Sequence, residues 1–140
     1  MSAGFVYTRR VVFYETDLAG VVHFSNYFRY MEEAEHALWR AAGMRIDGVD
    51  LDVGWPRVSA TFDYKRPLHY EDEIQIAVSV SAVTRRTIQY AFQITRGDTA
   101  IGVGSMTTAC VARDGVAMRS IDVPADVVSK LRAAAGQAAE

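Results

Sequence analysis

A single amphipathic helix pattern, followed by little except strand alternation, narrows the folds open to this chain more than any other feature. Between residues 26 and 42, Tyr27, Tyr30, Met31, Ala34, Ala37, Leu38 and Ala41 recur at spacings of three and four, with Arg29, Glu33, His36 and Arg40 on the opposite stripe. Asn26 is a residue type that caps a helix start. Gly43 can end the helix, because glycine adopts the left-handed conformation at little cost. The spacing predicts a helix over 26–42 with one buried face.

Downstream the period changes from three-to-four to two. Ile74, Ile76, Val78 and Val80 alternate with Gln75, Ala77, Ser79 and Ser81, and Ile88, Tyr90, Phe92 and Ile94 alternate with polar or small residues. Thr84-Arg85-Arg86 reads as the connection between these strands, Gly97-Asp98 as the next turn and Asp114-Gly115 as a hairpin turn. The runs 5–14 and 57–66 supply two more strands. The long run 99–112 carries Gly102 and Gly104, which leave room where another element or a ligand comes close. Val127, Val128 and Leu131 predict a short helix after Pro124, and the Ala-rich end from Ala133 to Glu140 is expected to fray. One helix with about five antiparallel strands makes an α+β layer architecture. The 140 residues, half of them apolar, fit one domain over 1–140.

Charge and composition remove several classes of function. A net charge of -2 and the absence of any polybasic tract argue against a nucleic-acid partner. No segment approaches the length of a membrane span and the start lacks a signal-peptide pattern, so a cytoplasmic protein is expected. The one cysteine, Cys110, lies in a strand-like run and reads as a buried structural thiol. Glu33-Ala34-Glu35-His36 holds a single E-x-x-H, and His69 with Glu71 lacks further ligands, so no metal site is expected. Gly102-Val103-Gly104-Ser105-Met106 lacks the second glycine of a nucleophile elbow, and there is no P-loop or dinucleotide fingerprint.

The stretch Tyr14-Glu15-Thr16-Asp17-Leu18-Ala19-Gly20-Val21-Val22-His23-Phe24-Ser25-Asn26-Tyr27 carries the chemistry. A carboxylate, Asp17, precedes a glycine-containing loop that runs into the helix, whose opening N–H groups can receive negative charge on an oxygen. Asp and Gly also serve ordinary turns, and Ser25 and Asn26 ordinary caps, so the residues alone leave both readings open.

The same stretch resembles the hotdog-fold acyl-CoA thioesterases, above all the 4-hydroxybenzoyl-CoA thioesterase type. Their pattern D-x-x-G-[IV]-V-aromatic-x-x-N-Y is met by Asp17, Gly20, Val21, Val22, His23 in the aromatic slot, Asn26 and Tyr27. Val53-Gly54-Trp55-Pro56-Arg57-Val58-Ser59 is similar to the family's approach to its second strand, Arg85-Arg86 to a basic pair used for coenzyme A, and Ile121-Asp122-Val123-Pro124-Ala125-Asp126 to its C-terminal segment.

The resemblance implies an antiparallel sheet wrapped around a long central helix and a homodimer or homotetramer with interfacial active sites. It also implies hydrolysis of an aromatic or short-to-medium acyl-CoA without a bound cofactor. Asp17 would be nucleophile or general base, with Gly20 shaping its loop and the Phe24 backbone N–H as oxyanion contact. His23, Asn26, Tyr27 and Glu32 would border the substrate, and Arg85 and Arg86 would hold phosphates. Phe24 stands where the hydroxybenzoyl type has tyrosine, and Thr87 where it has a third basic residue. A hotdog hydratase or dehydratase, or a silent acyl-CoA binding module, are the rival readings.

Overall fold

The computed structural model describes residues 4–47, 52–114 and 117–137. Its elements run β1 (Phe5–Arg10), a 3₁₀ turn (Phe13–Glu15), α1 (Asn26–Ala41), β2 (Val53–Gly54), β3 (Arg57–Tyr64), β4 (Glu73–Val83), β5 (Thr87–Arg96), β6 (Thr99–Ala109), β7 (Val111–Asp114), β8 (Ala117–Ser120) and α2 (Ala125–Ala134). Five strands form one antiparallel sheet in the order β1-β4-β5-β6-β3, and β2, β7 and β8 form a second, three-stranded one. This is the hotdog arrangement that the resemblance implied.

The core lies between α1 and the large sheet. Tyr27, Tyr30, Met31, Ala34 and Leu38 face Ile74, Ile76, Val78, Ile88, Tyr90, Phe92 and Ile94, all at most 4% exposed. Gly104 allows the close approach, since a Cβ there would stand 2.6 Å from the Met31 sulfur. Gly43, at φ +80, ends the helix as expected, and Gly97, at φ +60, makes the β5–β6 turn.

Four expectations need correction. The first strand stops at Arg10 and the chain tightens into the 3₁₀ turn, with Glu15 folding back inside. The strand from 57 ends at Tyr64, because the Lys65 and Arg66 amides both turn onto the Ile101 carbonyl. The run 99–112 breaks at Cys110, whose amide donates to the Arg86 carbonyl, and beyond it β7 joins the small sheet. The C-terminal segment is docked as far as Gln137. Ala135 is buried, and the Gln137 amide takes both the N–H and the C=O of Val80, at 2.9 and 2.8 Å. β1 pairs with β4 only as far as Val78, so this side chain stands in for a missing strand. The turn expected at Asp114-Gly115 falls partly outside the described residues, though β7 and β8 pair antiparallel on either side of it.

Candidate active site

Asp17 sits on a loop closed by its own backbone. The Asp17 N–H donates to Val21 O and the Gly20 N–H to Asp17 O, both at 2.9 Å, and Asp17 Oδ1 accepts the Ala19 N–H at 2.9 Å. Gly20, at φ +82, supplies the left-handed residue that the reversal requires. The carboxylate is exposed, with its second oxygen unpaired among the described residues.

The loop delivers the chain to the start of α1. There the Phe24 N–H meets no acceptor among the described residues, while the Phe24 carbonyl accepts the Tyr64 hydroxyl at 2.9 Å. That bond, from the end of β3, fixes the Phe24–Ser25 peptide, the one that follows the peptide carrying the open Phe24 N–H. Tyr64 also packs on Tyr27 and Phe62, with ring centroids 5.0 and 4.8 Å away. A cavity of about 300 Å³ opens beside Phe24, Tyr27 and Tyr64. An exposed carboxylate, an unsatisfied N–H at a helix start and an aromatic-lined hollow together suit attack on a carbonyl whose oxygen becomes negative.

His23 and Asn26 take up local duties. The His23 Nδ1 lies 2.8 Å from Ser25 Oγ and 3.3 Å from the Ser25 N–H, and its ring tilts over Phe24 at 4.6 Å. Neither Ser25 nor Asn26 caps the helix through its side chain, contrary to expectation. Asn26 Nδ2 instead donates to the Glu15 carbonyl at 2.9 Å, which the His23 N–H also reaches at 2.9 Å. The capping residue has become a tether between helix and loop.

Glu15 anchors the loop, and reading the sequence missed it. It is 5% exposed. Oε2 pairs with Arg9 Nη1 at 2.8 Å, and Oε1 accepts the Tyr30 hydroxyl at 2.8 Å and the Val12 N–H at 3.0 Å. The Arg9 guanidinium also lies 4.4 Å over the Tyr30 ring. A signal was present: Arg9 shares a strand face with Phe5 and Tyr7, and a charge on the inward face implies a buried partner.

Glu32 lies apart from Asp17, further along α1. It borders a cavity of about 440 Å³ between α1 and β3 that Phe28, Arg57 and Met106 also line. Arg57 Nη1 reaches Glu32 Oε2 at 3.5 Å, while Arg57 Nη2 donates to Oε1 of Glu35. Glu35 was not anticipated either, although it stands among the apolar positions, four residues after Met31 and three before Leu38. It is fully buried and its Oε2 has no partner among the described residues. Burial pushes its carboxyl up to about 7, against the pull of Arg57.

Arg85 and Arg86 are far from all of this within one chain. The Asp17 loop is fixed to the segment before β4, through Val22 N–H to Leu68 O and Val11 N–H to Asp72 O, both at 2.8 Å. The arginines follow the other end of β4, whose 11 residues span roughly 35 Å at about 3.3 Å per residue. Both pair with Asp122. Cys110 is buried as expected, and burial raises its thiol above the usual range. Among the described residues no group of three or more His, Cys, Asp or Glu could hold a metal ion, and no helix is long and apolar enough to cross a membrane.

Residues 11–131 match the family model of the Thioesterase-like superfamily. A relative from Aquifex aeolicus, provisionally named an esterase, is 33% identical over 91% of this chain and 98% of its own length. The 1,4-dihydroxy-2-naphthoyl-CoA hydrolase of Nostoc punctiforme is 24% identical over 91% of this chain and 86% of its own. Among solved structures, a gentisyl-coenzyme A thioesterase superposes with a TM-score of 0.81 at 26% identity, over 91% of this chain and 99% of that one.

Proposed function

The chain belongs to the thioesterase-like superfamily, and we propose that it is a cytoplasmic enzyme that hydrolyses an acyl-coenzyme A thioester to the free acid and coenzyme A. One observation carries the reading: the exposed Asp17 carboxylate stands on a closed loop leading into a helix start whose Phe24 N–H is open. Asp17 either attacks the thioester carbonyl, giving an acyl-aspartyl anhydride that water then opens, or removes a proton from the attacking water. Either route puts negative charge on the former carbonyl oxygen, which the Phe24 N–H then stabilises. Neither route calls for a metal or a bound cofactor.

The acyl group is aromatic or short to medium in length. Relatives named for dihydroxynaphthoyl-CoA and gentisyl-CoA support an aromatic one, as does the hollow beside Tyr27 and Tyr64. His23, Tyr27 and Glu32 border the substrate in this reading, and Asn26 holds the loop for it. The arginine pair enters through assembly. A coenzyme gripped by Arg85 and Arg86 reaches an Asp17 only on another copy of the chain, so the active enzyme is a homodimer or homotetramer. Strand β3 is an open edge exposed along most of its length, and Phe24, Val58 and Tyr64 are 63%, 61% and 47% exposed near it. Such an edge is suited to pairing with a second sheet.

The test is thiol release from a panel of acyl-CoAs by wild type and Asp17→Asn. The variant should keep its fold and bind acyl-CoA while turning over at least about 100-fold more slowly. Turnover close to wild type would remove Asp17 from the mechanism. Binding without any thiol release in wild type would mark a silent binding module, and change at the acyl carbons with the thioester intact a hydratase.

A further inference from the structure

Strand β3 is irregular at one point, beside the cavity that Glu32 borders. Ser59 stands opposite Thr107 and Arg57 opposite Thr108, so Val58 is an extra residue and the register slips there. In a regular strand Arg57 would share the outer face with Ser59. The bulge turns it to the inner face instead, opposite the fully buried Thr108 and on the side of Ala60, whose partner Met106 is also buried. The backbone thus aims a guanidinium at α1.

Two carboxylates meet it there. Arg57 Nη2 donates to Oε1 of the fully buried Glu35, and Nη1 lies 3.5 Å from Oε2 of Glu32, whose side chain is 46% exposed. Glu35 holds the guanidinium from inside, and Glu32 meets it from the solvent side. The cavity of about 440 Å³ runs up to this cluster. Ser25 stands at its near end, next to the residue with the open N–H, Phe28 and Arg29 border it one turn along α1, and Glu32 two turns along. Among the described residues none of α1 beyond Glu32 lines it. From Ser25 to Glu32 the helix rises roughly 10 Å, at about 1.5 Å per residue.

We propose that this cavity receives the acyl group and that Arg57, held by Glu35 as its positioning residue, is the charged floor that turns away longer apolar chains. A methyl end pressed onto the floor strips water from the guanidinium and from Glu32 and returns no hydrogen bond. To pass further it must part Arg57 from a carboxylate that has no water to turn to. A chain that ends in a hydroxyl is accepted, because its oxygen takes a hydrogen bond from Arg57 and its proton goes to Glu32. The proposal rests on the acyl-coenzyme A reading above and names the residues that set the length which that reading leaves open.

Calorimetric titration with alkyl coenzyme A thioethers, from butyl to dodecyl, tests it without any turnover. In wild type, affinity should climb about fourfold with each methylene buried and stop climbing once the chain end meets Arg57, near the octyl probe. At that length a hydroxyl-ended probe should bind severalfold more tightly than the methyl-ended one. Arg57→Leu combined with Glu35→Leu replaces the buried pair by apolar side chains, a change that folds often tolerate. In it the climb should continue to longer chains and the hydroxyl preference should reverse. Affinity that rises unbroken to dodecyl in wild type, or no binding of any probe, would overturn the floor, as would a limit that the double variant leaves in place. Should that variant not fold, the wild-type pair of probes decides alone, and a preference for the methyl end sinks the idea. If the limit is found and no acyl-CoA is cleaved, the pocket stands and the thioesterase reading fails. If acyl-CoAs of every length are hydrolysed equally well, the reverse holds.

Discussion

Two buried carboxylates, Glu15 and Glu35, each pair with an arginine, yet they are built very differently. Glu15 has all it needs: Arg9 on one oxygen, the Tyr30 hydroxyl and the Val12 amide on the other. Glu35 has Arg57 on Oε1, and its Oε2 meets no hydrogen-bond partner among the described residues. A carboxylate whose lone pairs are met by fixed donors can be buried and still hold a loop in place. One left half-satisfied offsets its desolvation by binding a proton more readily, and its carboxyl moves up to about 7. The donors around the pair, more than the pairing itself, decide what a buried carboxylate does. Glu15 fixes the Asp17 loop, whereas Glu35 answers to pH.

The sharpest way to break this comparison is to remove Glu15. Glu15→Ala leaves the Arg9 guanidinium, 12% exposed in its side chain, without its closest carboxylate, and the buried Tyr30 hydroxyl without an acceptor. Stripping one partner from a buried ion pair costs about 3–5 kcal/mol, which denaturant unfolding would show as a lower midpoint. Turnover should fall as well, since the loop carrying Asp17 is tied at this point. A loss below about 1 kcal/mol would place Glu15 with ordinary surface pairs and end the contrast with Glu35.

The asymmetry between these carboxylates also marks where the sequence was legible. Periodicity located α1 to within a residue, Gly43 at its end and the strands of the large sheet, because those patterns record which side of an element meets water. The glycines at 102 and 104 were read as close-approach positions, and Met31 indeed lies against Gly104. Periodicity is silent about which polar residue crosses to the inside. Glu35 lies on the apolar face of α1 and Glu15 two residues before Asp17, and each reads as solvated until its partner, from 22 or 6 residues away, is seen. The break at Cys110 is set by a hydrogen bond to Arg86, a long-range contact that leaves no local mark. The same holds for the gap between Asp17 and the arginine pair. The motifs could be recognised one by one, but their separation by the length of β4 belongs to the topology.

A second test is sized by the pH response of Glu35. Its folded carboxyl lies at about 7 against an ordinary 4.5, so between those values the native state holds a proton that the unfolded chain has lost. Stability then falls as pH rises through this window, by an amount on the order of 3 kcal/mol at most. Arg57, Glu32, His36 and Tyr90 surround the group. Burial lowers His36, whose own contribution runs the opposite way, so the difference between variants isolates Glu35. Glu35→Gln should remove the downward slope between about pH 4.5 and 7 while the rest of the profile survives. If wild type and variant run parallel across that range, the unpaired oxygen has a donor in solution and the difference in donors between the two carboxylates disappears.

The smallest expected effect comes from moving Glu15 one step towards the condition of Glu35. Tyr30→Phe deletes a single donor, the hydroxyl 2.8 Å from Glu15 Oε1, and leaves the ring fully buried against Tyr27 and beneath Arg9. No cavity larger than an oxygen opens, so the cost is that of one hydrogen bond to a charged group, about 1.5–3 kcal/mol before relaxation and less if the Val12 amide tightens onto the same oxygen. Turnover should drop by less than about tenfold, because the Glu15 carbonyl keeps its bonds to Asn26 Nδ2 and the His23 amide. Measured beside Glu15→Ala, this variant separates two views of the anchor. A loss equal to that of the alanine variant would make the Tyr30 hydroxyl the one indispensable donor. A loss near zero would mean that the Arg9 pair and one backbone amide suffice, and that the orphaned oxygen of Glu35 reflects the depth of its burial more than its missing partner.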